Sequence, residues 1–278
     1  MLSAWRSGLA IACLVAATSV ALLALGADLS TVASAKAEAV AEAAQDGMRR
    51  FGGGRRAAVA IDPGKADYDG RFSFVRLRYG PTFDGYSRRE PPWAHDYPRA
   101  DFHFLKILSE ITFVRTFIDE GNILTLDDPD LSLFPIAYMS EPGFWTLSEE
   151  EMAGFRAYLQ KGGFVIFDDF RDNHRANLVA QMRRVLPDAR WVPLDPAHPV
   201  FHSFFEINSL DIMGYYGPAE WTGIFEDNDP AKRLMAIANY NHDLGEMWEF
   251  SDTGYLPVDL SNEAYKFGVN YVVYAMTH

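Results

Sequence analysis

The main part of this sequence lacks cysteine. The chain has 278 residues, and its one cysteine, Cys13, lies in an apolar stretch near the N-terminus. The rest of the chain therefore has no disulfide, no thiolate nucleophile and no cysteine metal ligand.

Basic residues are also scarce. Lys and Arg number 25 against 38 Asp and Glu, so the formal net charge is -13. A surface of this sign repels phosphate backbones, which argues against nucleic acid as a partner. The glycine run at 52–54 has no predicted strand before it, so it does not form a phosphate-binding loop. The sequence also has no internal repeat.

The first 35 residues have the features of an export signal. Arg6 supplies a positive charge, residues 8–27 carry no charge, and Ala-Ser-Ala at 33–35 matches a cleavage pattern. The apolar stretch is also long enough to span a bilayer, so an uncleaved membrane anchor is the alternative. Either alternative predicts a periplasmic or cell-envelope protein. Residues 36–70 are then an Ala-rich helix and a flexible linker, and residues 71–278 form the folded domain.

Strands and helices alternate along this domain. We predict strands at 72–79, 123–126, 135–139, 164–167 and 191–194, a hairpin of strands 221–225 and 234–239, and helices at 99–111, 146–162, 175–186 and 261–277. This alternation predicts an α/β three-layer sandwich with a mostly parallel, flavodoxin-like central sheet. The late hairpin predicts one antiparallel edge.

The clearest local pattern is a capped helix followed by a buried strand. Thr146 with Glu149, or Ser148 with Glu151, has the spacing of a capping box. Either glycine of the pair at 162–163 can end the helix, because glycine adopts the left-handed conformation without strain. An unbroken apolar run then predicts a central strand that is covered on both faces.

Two carboxylates, Asp168 and Asp169, end that strand. Ligands bind at the carboxyl ends of strands in open α/β sheets, so either residue is a candidate metal or hydroxyl ligand or a general base. Adjacent strand residues point to opposite sides, so at most one is expected to face the crevice. The structural alternatives are capping of the next helix or an ion pair with Arg171 or Arg175.

Two further polar segments supply weaker catalytic candidates. His174 lies on the loop after Asp169 and could complete an acid–base set, or it is a solvated loop residue. His242, Asp243 and Glu246 follow a predicted strand and share its rim, although Asp243 also suits a turn. The catalytic candidates are Asp168, Asp169, His174 and Asp243.

A long, aromatic loop at 80–98 precedes the first helix. Loops of this length in a compact domain are usually functional or disordered. A pair between Arg99 and Asp101 would pin the loop over the crevice, as a structural clamp or as part of a site. The predicted ligand-binding residues are Trp93, His95, Tyr97, Arg99, Asp101, Arg171 and His242.

The sequence predicts neither a metal site nor a cofactor. His198 and His202 have an i, i+4 spacing, but no Glu lies between them and no third ligand is implied. Ser140 follows an apolar strand where a nucleophile would lie, yet the Gly-x-Ser-x-Gly spacing is missing and a turn explains it better.

Four ordered motifs resemble those of a known family, domain-of-unknown-function family 4159. They are Tyr97-Pro-Arg-Ala-Asp101 with Phe104, Gly162-Gly163-Phe-Val-Ile-Phe-Asp168-Asp169, His198-Pro-Val-Phe, and Asn241-His242-Asp243-Leu-Gly with Trp248. The resemblance implies a class I glutamine amidotransferase-like fold of the trehalose-utilisation (ThuA-like) branch, in a bacterial envelope protein. It implies no activity. Because true amidotransferases of this class use a cysteine, that reaction is excluded for this domain.

These observations favour a non-catalytic binding or interaction domain over an enzyme. The missing thiolate and the absence of a convergent metal set carry that expectation, and the abundant aromatic residues suggest an envelope protein or a small carbohydrate-like ligand as the partner. The alternative is a hydrolase or sugar-processing enzyme of ThuA-like type, in which Asp168 or Asp169 converges with His174 and Asp243.

Overall fold

A computed structural model of the chain describes residues 68–80, 91–118, 121–214 and 217–278. The expected export segment, the Ala-rich helix, the basic linker and residues 81–90 of the long loop lie outside these residues. Within the described part of the chain, no helix combines the length and the apolar character needed to cross a membrane.

A mostly parallel sheet forms the centre of the domain. The described strands are β1 (Val75–Arg78), β2 (Asn122–Thr125), β3 (Ile136–Ser140), β4 (Phe164–Phe170), β5 (Val192–Pro193), β6 (Met213–Gly214), β7 (Gly217–Pro218), β8 (Glu220–Phe225) and β9 (Leu234–Tyr240). Seven of them pair in the order β2-β1-β3-β4-β9-β8-β5, while β6 and β7 form a separate ribbon. The first five strands in this order are parallel, and β8 and β5 form the predicted antiparallel edge. The parallel part has the 2-1-3-4-5 order of flavodoxin-like sheets.

Helices cover both faces of this sheet, as the alternating sequence pattern predicts. They are α1 (Arg99–Ile111), α2 (Glu149–Gln160), α3 (His174–Val185), α4 (Leu244–Glu249) and α5 (Val258–Thr277). On one face, Phe104 of α1, Trp248 of α4 and Phe267 of α5 share a buried core. On the other face, Phe155 of α2 and Leu178 of α3 belong to a second core. The result is a three-layer α/β arrangement.

The local signals around α2 and β4 explain how the candidate site is placed. Ser148 and Glu151 form the capping box, and Gly162 takes φ +114° after the helix. Every residue of β4 is buried, which fits a strand with a helical layer on each face. The strand runs on to Phe170, so Asp168 and Asp169 lie inside it and not beyond its end.

Several predicted elements are shorter in the structure, among them the helix predicted at 146–162, which spans Glu149–Gln160. The first strand begins at Val75, because Phe72 makes only an isolated bridge to Thr116. The segment after His198 forms a 3-10 turn, Pro199–Phe201, so His198 and His202 do not share one face of an α-helix.

Candidate functional site

Five titratable side chains converge at the carboxyl end of the parallel sheet. His95 and Asp96 follow β1, Asp169 lies in β4, and Asp243 and Glu246 follow β9. Parallel strands end at the same edge, so the fold brings these distant segments together. We call these five residues the acidic cluster.

A backbone irregularity turns Asp169 into the acidic cluster. The register between β4 and β9 shifts between Phe167 and Phe170, and Asp169 has φ 53°. A bulge of this kind re-aims a side chain at a strand end. As a result, Asp169 Oδ2 lies 2.9 Å from Nδ1 of His95.

Asp96 is the least satisfied member of the acidic cluster. Its side chain is fully buried, and neither carboxylate oxygen has a hydrogen-bond partner. Its Oδ2 lies 3.5 Å from Nδ1 of His95, on the same side as the Asp169 carboxylate. Gly245 permits this placement, since a Cβ there would lie 2.5 Å from Oδ2 of Asp96.

Asp243 joins the cluster from the start of α4. It caps this short helix, with Oδ1 accepting a hydrogen bond of 2.8 Å from the backbone N–H of Glu246. One ligand-type atom each from His95, Asp169 and Asp243 lies within 4.8 Å of the others. The same holds for His95, Asp96 and Glu246, so His95 connects two overlapping sets.

The Arg76 side chain, buried in β1, holds the His95 segment against the sheet. Its guanidinium donates to the backbone oxygens of Trp93 (3.2 Å) and His95 (2.9 Å) and forms an ion pair with Asp101. This corrects the predicted clamp between Arg99 and Asp101. Arg99 instead pairs with Asp252 on the surface, because its side chain lies on the outer side of α1.

The pKa values of the acidic cluster are shifted in different directions. Burial opposes the charge on His95, but the carboxylates of Asp96 and Asp169 outweigh it and hold the pKa of the imidazole well above its usual value. Burial would raise the pKa of Asp169, but the hydrogen bond to His95 and the charge of that ring lower it. Burial and the neighbouring carboxylates raise the pKa values of Asp96 and Asp243 well above the ordinary range. The Asp169 carboxyl, with its lowered pKa, therefore lies close to the Asp243 carboxyl, with its raised pKa.

Asp168 points away from this cluster, as the alternation of strand side chains predicts. It accepts hydrogen bonds from Tyr138 Oη (2.9 Å) and Asn239 Nδ2 (3.0 Å). The backbone N–H groups of Leu244 (2.7 Å) and Gly245 (3.2 Å) also donate to it. We call Asp168 with these four donors the structural pocket. Burial raises the pKa of Asp168 to about 7, against the lowering effect of the bonds from Asn239 and Tyr138.

The two other histidines named as candidates lie outside the acidic cluster. His174 begins α3, and its ring meets that of Phe144 at 4.7 Å. His242 is buried against Trp221 and Phe267, and burial lowers its pKa to about 4. His95 occupies the position that the sequence analysis gave to His174, because the segment after β1 folds back over the ends of β3 and β4.

The remaining candidates flank the site. Trp93 is buried, Tyr97 packs its ring 5.9 Å from the Arg76 guanidinium, and Arg171 lies 3.9 Å from Oδ1 of Asp169. The Ser140 side chain is fully buried with no hydrogen-bond partner for its Oγ, so this hydroxyl does not reach the crevice as a nucleophile would.

The sequence predicted no metal site, and the histidine pair with ligand spacing was His198 with His202. His198 accepts a hydrogen bond from the backbone of Val200, and His202 pairs with Glu206, so these two rings do not converge. A set whose ligand-type atoms lie within 4.8 Å of one another exists elsewhere, in the acidic cluster. Asp96 was missed, although its position next to His95 in a long polar loop was a usable signal.

Comparison with known proteins identifies the domain. No curated protein matches the chain. A family model described as "Domain of unknown function (DUF4159)" matches residues 73–276, which include the acidic cluster and the whole parallel sheet. The chain therefore belongs to the DUF4159 family.

Proposed function

We propose that this domain is a hydrolase of ThuA-like type that acts on a polar small molecule in the cell envelope. The observation that carries the proposal is the pairing of Asp169 and Asp243 with His95 at the carboxyl edge of the sheet. Buried titratable groups that shift one another's pKa values cluster at functional sites. The 2-1-3-4-5 strand order and the α2–Gly162–β4 unit support the finer kinship with ThuA-like proteins.

The two carboxylates divide the acid and base roles. Asp169, held ionised by His95, accepts a proton from the attacking water, and Asp243 donates its proton to the leaving group of an acyl bond. The water oxygen adds to the acyl carbon, and the tetrahedral intermediate then breaks its bond to the leaving group. Transfer of the proton from Asp169 to Asp243 restores the starting state. No covalent nucleophile is needed, which fits the buried Ser140 and the absence of cysteine after Cys13.

Placement in the envelope is part of the proposal. It is supported by the charge pattern of residues 1–35, which have the composition of an export signal or an anchor.

A screen for turnover tests the proposal. Chromogenic glycosides, esters and amides are offered to the purified full chain, to Asp169→Asn and Asp243→Asn variants, and to an Asp172→Asn control in the exposed loop after β4. General acid–base catalysis contributes about 10²–10⁴-fold, so each cluster variant should lose at least that factor while the control keeps its rate. Turnover that survives both cluster substitutions would reject the assignment.

The alternative from the sequence, a binding domain without turnover, makes a different prediction for the same proteins. A bound ligand at about 100 times its dissociation constant adds roughly 2.7 kcal/mol to the unfolding free energy. Thermal shifts with sugars or amides, lost in the two variants but accompanied by no turnover, would favour that alternative.

A further inference from the structure

The acidic cluster places several carboxylates in a small volume with little positive charge. His95 is its one titratable base, and its side chain is 34% exposed at the edge of the cluster. Arg171 approaches Asp169 from outside, at 3.9 Å. Four carboxylates that face one imidazole leave an excess of negative charge wherever they ionise.

The Asp96 carboxylate gives a second, separate reason to expect a ligand. It is completely buried, it points into the cluster, and both of its oxygens lack a hydrogen-bond donor. Buried polar groups are almost always hydrogen-bonded, and exceptions call for an explanation such as an ion. The structural pocket shows that this fold can satisfy a buried carboxylate with four donors when the role is structural.

We propose that the acidic cluster binds one divalent first-row transition metal ion, such as Zn²⁺ or Mn²⁺, through His95, Asp169 and Asp243, with Asp96 beside His95 in the overlapping set. This inference rests on the residues of the proposed hydrolase and alters their roles, because a metal ligand must be deprotonated. With the ion bound, Asp243 is ionised and His95 is neutral, and the ion would activate the attacking water in place of the carboxylate pair. Metal binding can be measured without a substrate.

The distances suit such an ion. Zinc binds His nitrogen and carboxylate oxygen at about 2.0–2.2 Å, so two ligand atoms of a tetrahedral site lie about 3.4 Å apart. The atoms of the His95, Asp169 and Asp243 set lie within 4.8 Å of one another. Movement of these side chains by at most about 1.4 Å brings the set to tetrahedral spacing.

The donor set selects the class of ion. Imidazole suits zinc, iron, copper and nickel, whereas Mg²⁺ and Ca²⁺ prefer oxygen ligands alone. One imidazole with several carboxylates therefore favours Zn²⁺ or Mn²⁺ over Mg²⁺. The charge of the ion would also offset the excess negative charge of the cluster.

Isothermal titration of the purified full chain with ZnCl₂ tests the proposal, with MgCl₂ as the comparison ion. We expect one Zn²⁺ per chain, and at least tenfold weaker binding in Asp96→Asn and Asp243→Asn. Two controls should bind as the wild type does: Asp172→Asn, a matched carboxylate in an exposed loop, and His202→Ala, which removes the rival histidine. Absence of binding to the wild type, or unchanged binding in both cluster variants, would overturn the proposal.

A second measurement covers the case in which a variant does not fold. Anomalous diffraction from wild-type crystals soaked in Mn²⁺ should place the ion between His95 and Asp243, and an ion found only at other residues would reject the site. Failure of metal binding is also distinguishable from failure of the hydrolase. Turnover that persists in EDTA but is lost in Asp169→Asn would support the acid–base role of the carboxylate pair and reject the metal site.

Discussion

Asp168 and Asp169 are neighbours in one buried strand, yet they lie in opposite chemical settings. Asp168 sits in the structural pocket, where four donors satisfy its carboxylate. Asp169 faces a histidine and other carboxylates in the acidic cluster. Burial alone therefore does not separate a structural residue from a functional one. The number of donors that the fold supplies to each buried carboxylate separates the structural pocket from the acidic cluster, because an ionised carboxylate without donors is costly to bury.

Truncation of the structural pocket should have the largest effect on stability. Asp168→Ala leaves four buried donors without an acceptor, and each unsatisfied donor costs about 1–3 kcal/mol. We therefore expect the unfolding free energy to fall by more than about 3 kcal/mol. Chemical denaturation measures this. Ser140→Ala is the matched control, since Ser140 pairs with Asp168 in register but its Oγ has no partner. A similar loss in both variants would contradict the comparison.

The stability of the domain should also depend on pH through His242, which lies in sequence between Asn239 of the structural pocket and Asp243 of the acidic cluster. Its ring is buried, and its pKa falls from 6.5 to about 4 in the folded state. The unfolded chain takes up a proton first as the pH falls, so the contribution of the neutral ring is present above pH 6.5 and is lost as the pH falls towards 4. The full difference is roughly 3 kcal/mol.

Denaturation curves of the wild type and His242→Gln between pH 7 and pH 4 check this dependence. The difference in unfolding free energy between the two proteins isolates the contribution of His242. Other groups change stability with pH in the opposite direction: the raised pKa of Asp168 makes the fold less stable as the pH rises from about 4 to 7. We expect the unfolding free energy of the wild type to fall relative to that of His242→Gln as the pH falls. Parallel curves would show that the ring is not neutral and buried.

Gly245 joins the two regions and should show a smaller effect. Its N–H donates to Asp168, and a Cβ there would lie 2.5 Å from Asp96 Oδ2 and 2.9 Å from Tyr138 Oη. Overpacking costs about 1–3 kcal/mol, so Gly245→Ala should destabilise the domain by that amount and disturb the acidic cluster.

Gly121→Ala is the control for Gly245, because its Cβ would meet only an ordinary contact at 3.5 Å. Adding Asp96→Ala to Gly245→Ala should recover part of the stability, since the closest obstructing atom is removed. A purely additive double mutant would show that the two residues do not press on each other.

Much of this fold could be predicted from the sequence. The capping box of α2, the glycine that ends it and the buried run of β4 are local signals, and they lie where the pattern predicts them. The limits of α1 also match the prediction. The edge strand β5 was harder to bound, since two residues carry little periodicity.

The site was only partly predictable because it is assembled from three distant segments. The strand-end rule drew attention to Asp169 and Asp243, and the aromatic loop drew attention to His95. Nothing local showed that Asp101 pairs with Arg76, 25 positions away, and not with Arg99. The bulge that separates Asp169 from Asp168 is likewise a property of strand pairing, which the sequence pattern does not encode.

The most direct test of the comparison measures two isosteric substitutions in metal-free buffer at pH 8. Asp96→Asn removes a carboxyl group whose charge the fold opposes and whose oxygens have no donor, so the unfolding free energy should rise. Asp168→Asn also removes a charge that burial disfavours, but it sets an NH₂ group against one of four donors at a cost of about 1–3 kcal/mol. The predicted result is a more favourable change in unfolding free energy for Asp96→Asn than for Asp168→Asn. Equal losses would mean that the Asp96 carboxylate is as structural as that of Asp168, and they would contradict the assignment of the acidic cluster as a functional site.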